Sequence, residues 1–133
     1  MGNNHISSDP SPTSMTTLKI ILEGLSEAKA NDICQLDVRS LTDITDFMVI
    51  ASGTSHRHVH AMADQIREAA LQHHLRPIGI EGDSENDWIL IDFSDVVAHI
   101  MMPETRQFYS LERLWDYHLS AAVQNKSGTP SDN

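Results

Sequence analysis

Apolar residues recur at helical spacing in three stretches of the chain. Leu18, Ile21, Leu22 and Leu25 stand at i, i+3, i+4 and i+7, the pattern of a helix that buries one stripe. Thr16 or Thr17 is placed to cap that helix, and Gly24 interrupts its pattern. Val59, Met62, Ala63 and Ile66 mark a second helix, with His73 and His74 near its end, where positive charge suits the helix dipole. Pro103 suits the first position of a third, whose stripe is Phe108, Leu111, Leu114, Trp115 and Leu119.

Between these stretches the spacing changes. Leu36-Asp37-Val38-Arg39 alternates, as a half-buried strand does. Phe47-Met48-Val49-Ile50-Ala51 is a continuous apolar run, expected for a strand covered on both faces. It ends in Ser52-Gly53-Thr54-Ser55, a turn that also offers helix N-caps. Pro77 breaks the chain, and Ile78 and Ile80 lead into the turn Glu81-Gly82-Asp83. The apolar runs Trp88 to Phe93 and Val96 to Met101 are joined by Ser94-Asp95, a hairpin-length link that makes them antiparallel neighbours. The order α, β, β, α, β, β, β, α predicts an α/β (α+β) fold: a single domain with a mixed β-sheet of about five strands packed with three helices. The passage from Phe47 to Glu81 reads as a right-handed βαβ crossover.

The folded domain is expected over residues 16–124. Residues 1–15 and 125–133 are rich in Ser, Pro, Asp and Asn and are expected to form disordered tails. The first stretch has neither a basic start nor an apolar core segment, so it does not read as a leader peptide. Lys and Arg number 9 against 19 Asp and Glu, a formal net charge of −10. Phosphate backbones repel such a domain, which disfavours direct sequence-specific binding of nucleic acid; a basic protein surface attracts it. The single cysteine, Cys34, permits no internal disulfide, and a reducing cytoplasmic setting follows as the expectation. No apolar run approaches the roughly 20 residues of a membrane span, so no membrane partner is expected.

Candidate chemistry is sparse. Asp43 and Asp46, and again Asp92 and Asp95, are spaced by three, whereas two carboxylates on one face of a strand need D-x-D, which is absent. These aspartates read instead as turn caps. His56 and His60 share a helix face and could hold a metal ion, but no H-E-x-x-H and no cysteine pair completes a site, so no metal and no cofactor is expected. Neither a P-loop, nor G-x-G-x-x-G, nor G-x-S-x-G is present. The chain does not read as an enzyme. Trp88, Tyr109, Trp115 and Arg106 are of the types that dominate protein interfaces, and Trp88 opens a strand beside a polar loop.

The stretch Asp43-Ile44-Thr45-Asp46-Phe47-Met48-Val49-Ile50-Ala51-Ser52-Gly53-Thr54-Ser55 with Arg57-His58-Val59 resembles the ribosomal silencing factor (RsfS, Iojap) family. So do Glu81-Gly82, Asp87-Trp88, Asp92, Asp95-Val96, His99, Arg106 and Tyr109-Ser110-Leu111-Glu112-Arg113-Leu114-Trp115. Phe47 stands where many members have Tyr. The resemblance implies a nucleotidyltransferase-like fold without its catalytic acidic motif. It also implies binding of the large ribosomal subunit through its fourteenth protein, on the face that meets the small subunit. There the factor would block subunit joining and repress translation under nutrient limitation. A homodimer is implied for the free protein. The two alternatives are a nucleotidyltransferase-like enzyme and a dimeric interaction module with a non-ribosomal partner.

Hairpin geometry and the matched motif point to a partner-binding surface of Trp88, Asp92, Phe93, Asp95 and His99, with Arg106 and Tyr109 beside it. The other matched positions are expected to be structural: Asp43, Asp46, Ser52, Gly53, Ser55, Arg57, His58, Glu81, Gly82, Leu111, Glu112 and Trp115.

Overall fold

A computed structural model describes residues 12–82 and 87–109. Its elements follow the expected order: α1 (Pro12–Glu27), β1 (Asn31–Asp37), β2 (Phe47–Ser52), α2 (His56–Gln72), β3 (Gly79–Gly82), β4 (Trp88–Asp92), β5 (Val96–Met101) and α3 (Pro103–Tyr109). The five strands form one mixed sheet in the order β1-β2-β5-β4-β3. Only β2 and β5 pair in parallel; β1–β2, β4–β5 and β3–β4 are antiparallel. The crossover from β2 through α2 therefore does not deliver β3 to the neighbouring position. It carries β3 to the far edge, and the chain returns through β4 until β5 lies beside β2.

Side chains alternate across a sheet, so each strand divides between two faces. Phe47, Val49 and Ala51 of β2, Ile89 and Ile91 of β4, and Val96, Ala98 and Ile100 of β5 join Leu18, Ile21 and Leu25 of α1 and Val59, Met62 and Ile66 of α2 in the main core. Both long helices pack on this face. The second face carries a smaller cluster of Leu36, Val38, Met48 and Ile50, with Cys34 against it. Every residue of β2 is buried, as its unbroken apolar run predicted.

Three local features depart from the sequence expectation. Helix α1 begins at Pro12, so it takes in residues placed in the tail, and Thr16 and Thr17 lie inside it rather than capping it. Polar residues mask this extension: buried Ser14 donates to the Asp46 carboxylate, and Thr17 bonds back to the Thr13 carbonyl at 3.0 Å. Strand β1 runs from Asn31 and ends at Asp37, leaving Val38 and Arg39 outside it. It is a sheet edge, with a register shift between Asn31 and Cys34 and Asp32 at φ 50°, and exposure has erased its alternation. Beyond Tyr109, the rest of the third helical stripe (Leu111, Leu114, Trp115 and Leu119) and the motif residue Glu112 lie outside the described residues.

Gly24 explains itself in this packing. A Cβ there would lie 2.9 Å from the Ile66 Cα and 3.0 Å from the Gln65 carbonyl oxygen, so α1 and α2 cross at a distance only glycine permits.

Candidate functional site

The second face of the sheet is where the sequence-selected residues meet. On β4, Trp88, Leu90 and Asp92 point to it; on β5, Val97, His99 and Met101 do, since Leu90 is paired with His99 and Asp92 with Val97. Trp88 is half-buried at the start of β4. Its indole Nε1–H donates to Nδ1 of His99 at 2.9 Å, with ring centroids 5.8 Å apart and planes tilted by 49°. A ring nitrogen that accepts is unprotonated, so a neutral His99 carries its proton on Nε2. Burial holds the His99 pKa down at about 4. The ring is therefore uncharged through the physiological range.

Asp92, half-buried, caps the hairpin: its Oδ1 accepts the Ser94 N–H at 2.7 Å, which holds Ser94 at φ 76°. The Phe93 N–H bonds the Val96 carbonyl at 2.9 Å and closes the tight turn. Asp95, also half-buried, sits against the start of β2, and its carbonyl accepts the N–H groups of Asp46 and Phe47 at 2.9 and 3.1 Å. Desolvation, and secondarily the Asp46 charge, raise the Asp95 pKa above the usual carboxylate value.

Three expected surface residues are in fact internal. Phe93 is 5% exposed and belongs to the main core, because the strand alternation carries it onto the helix-covered face. His99 is 7% exposed and serves as the acceptor for Trp88. Arg106 is buried on the first turns of α3, where Nη1 donates to the Ser52 hydroxyl at 2.7 Å. Trp88, Asp92 and Asp95 keep access to solvent. Tyr109 is the last described residue of α3.

The family-motif positions build the support at one end of this face. Ser55 caps α2 through a bond from the His58 N–H at 3.0 Å. Gly53 packs so tightly that a Cβ would lie 2.8 Å from Val59 Cγ2 and 3.0 Å from the Val59 nitrogen. His58 accepts the Thr54 N–H at Nδ1 (2.8 Å) and donates from Nε2 to the Ala28 carbonyl (2.7 Å), tying the β2–α2 turn to the end of α1. Sequence spacing alone gave no sign of this tie, since Ala28 and His58 lie far apart in the chain. His56 reaches across to the Asp87 carboxylate at 2.5 Å, just before Trp88, and His60 lies 3.4 Å from Asp64. Each member of the His56/His60 pair thus faces its own carboxylate. No group of three or more His, Cys, Asp or Glu is arranged to hold a metal ion among the described residues. Arg57, Asp43, Glu81 and Gly82 are exposed.

A five-stranded mixed sheet with two helices on one face and a half-buried tryptophan held by a buried histidine on the other defines an α/β domain whose second face is its distinctive surface. Comparison with known proteins makes the assignment more specific. Residues 11–132 match the family described as ribosomal silencing factor during starvation, RsfS. The chain is 39% identical over 101 residues to the ribosomal silencing factor RsfS of Haemophilus influenzae, spanning 76% of this chain and 99% of that one. Identity to the RsfS of Chromobacterium violaceum is 36% over 97 residues, 73% of this chain and 80% of that one. A mouse protein named mitochondrial assembly of ribosomal large subunit protein 1 is 39% identical over 103 residues, which cover 74% of this chain and 44% of that protein. A crystal structure of a Chromobacterium violaceum protein superposes with a TM-score of 0.74 at 34% identity, covering 77% of this chain and 85% of that one. This chain belongs to the ribosomal silencing factor family.

Proposed function

We propose that the domain docks on the large ribosomal subunit through a basic protein surface, the subunit's fourteenth protein, and blocks joining of the small subunit by occupying its place. The carrying observation is Trp88, half-buried on the second face at the start of β4, in a chain of net charge −10 whose Asp92 and Asp95 stand at the hairpin end of the same strand pair. An aromatic anchor on an acidic domain is complementary to a basic protein, and the domain's charge is repelled by surrounding RNA phosphate. A standard interface buries roughly 1,200–2,000 Å² in total, an area within reach of a domain of this size. Steric exclusion needs occupancy and no bond-making step, so the proposed activity is regulatory, not enzymatic. It acts in the cytoplasm, under nutrient limitation, and the free protein forms a homodimer. No described helix is long and apolar enough to cross a membrane.

Burial of Phe93, His99 and Arg106 argues against direct contact through them. In this reading Trp88, Asp92, Asp95 and Tyr109 are the contacts, while Phe93, His99 and Arg106 act from within. The test is subunit reassociation: purified small and large subunits are mixed at permissive magnesium, with and without excess protein, and resolved on gradients. The protein should hold the subunits apart and travel with the large one, and Trp88→Ala should weaken both effects. Undiminished reassociation in excess protein would overturn the proposal.

A further inference from the structure

Trp88 has a single polar atom, and the protein consumes it. The indole Nε1–H points at His99 Nδ1 at 2.9 Å, and His99 is itself 7% exposed, fixed on the central strand β5. The side chains lie on the same face, with Trp88 opposite Met101 and His99 opposite Leu90, so the contact runs diagonally across adjacent strands. We infer that His99 is a positioning residue for Trp88: it binds the indole proton inside the domain, fixes the ring before any partner arrives, and leaves it a wholly apolar face to present. This rests on the reading of Trp88 as the docking anchor and goes beyond it by assigning how the anchor is prepared.

The physical consequence is twofold. An indole already held in one orientation loses little freedom on docking. An indole whose N–H is satisfied internally leaves no polar atom to desolvate against a partner. A partner for this face therefore needs an apolar or cationic surface to lie on the ring, such as the stem of Lys or Arg, and need not offer a hydrogen-bond acceptor to it. His99 contributes through Trp88 and touches the partner little.

The experiment is a two-residue cycle read by large-subunit binding and by proton NMR. The chain has two tryptophans, so two indole N–H resonances are expected, and Trp88→Phe assigns the one from Trp88. His99→Phe removes the acceptor. It should shift the Trp88 resonance, speed its exchange with solvent, and weaken binding about fivefold to tenfold, the loss expected for one re-ordered side chain. His99→Asn retains an acceptor near the Nδ1 position and should restore both readouts to within about threefold; it also serves if the Phe variant folds poorly. In the Trp88→Phe background, His99→Phe should have no further effect on binding. Equal losses from His99→Phe in both backgrounds would mean that His99 meets the partner directly, and would overturn the inference while leaving the docking surface intact. An unshifted indole resonance in His99→Phe would overturn it as well. Full binding by Trp88→Ala would instead remove the anchor, and this inference with it.

Discussion

Arg106 donates from Nη1 to the hydroxyl of Ser52 at 2.7 Å, and both residues are buried. The bond ties the helix after β5 to the last residue of β2, beside Gly53, whose N–H donates to the Met101 carbonyl at 3.0 Å. A hydrogen bond to a charged donor in a buried setting contributes about 1.5–3 kcal/mol. Ser52→Ala should lower stability by about that amount in urea unfolding. Arg106→Met keeps the apolar stem and drops the charge. Combined with Ser52→Ala it should cost less than the sum of the two single changes, because the pair shares one interaction. Additive losses would show that the two residues act separately.

Gly24 offers a test in which two effects oppose each other. Alanine in a helix interior is favoured over glycine by about 1 kcal/mol. At this position the added Cβ meets backbone atoms of α2 at 2.9 and 3.0 Å, and backbone does not move aside as a side-chain tip does. Overpacking a tight site costs typically about 1–3 kcal/mol, so the clash wins. Gly24→Ala should lower the thermal midpoint despite its better propensity. A raised midpoint would show that the helices separate at little cost.

The sequence was legible wherever one period dominated. The order of eight elements, the β4–β5 hairpin and the fully buried β2 all followed from apolar spacing and turn residues. Two kinds of local signal misled. Ser14 and Thr17 are polar yet face inward, so the first turns of α1 carried no apolar stripe to read. Phe93 stood beside a turn and suggested exposure, but the two-face alternation along β4 continues through it into the core. The residue types of the candidate site were visible in the sequence; their roles were not. Whether His99 meets a partner or holds Trp88 depends on a cross-strand register, and register is a tertiary quantity that one strand's own residues do not fix.

Acid should expose the cost of burying His99. Its pKa in the folded protein is about 4, against 6.5 for an ordinary histidine. Between those values the unfolded chain binds a proton that the folded chain does not, so stability rises with pH. The contribution is complete above about pH 6.5 and is lost as pH falls toward 4, with a size on the order of 3 kcal/mol. Urea titrations at intervals across that window should show the slope, and His99→Asn should flatten it. An equal slope in wild type and variant would assign the acid sensitivity to other groups.

Asp95 carries the opposite sign, and it bears on the division between stability and function. Desolvation, then repulsion from Asp46, raise its pKa above the ordinary value of 3.8, so its charged form is disfavoured in the fold. A carboxyl with a raised folded pKa stabilises the protein below its unfolded pKa and loses that advantage as pH climbs through the folded value. At neutral pH the charge is therefore a burden on the domain. Asp95→Asn removes it and leaves the backbone carbonyl that accepts Asp46 and Phe47 in place. The variant should melt at a higher temperature than wild type at pH 7, and the gap should close near pH 3. If Asp95 belongs to the acidic rim that meets a basic partner, the same substitution should slow association with the large subunit and reduce its salt dependence, since rim charges act mainly on encounter. A stabilised variant with unchanged association would keep Asp95 as a desolvated turn residue and remove it from the docking surface.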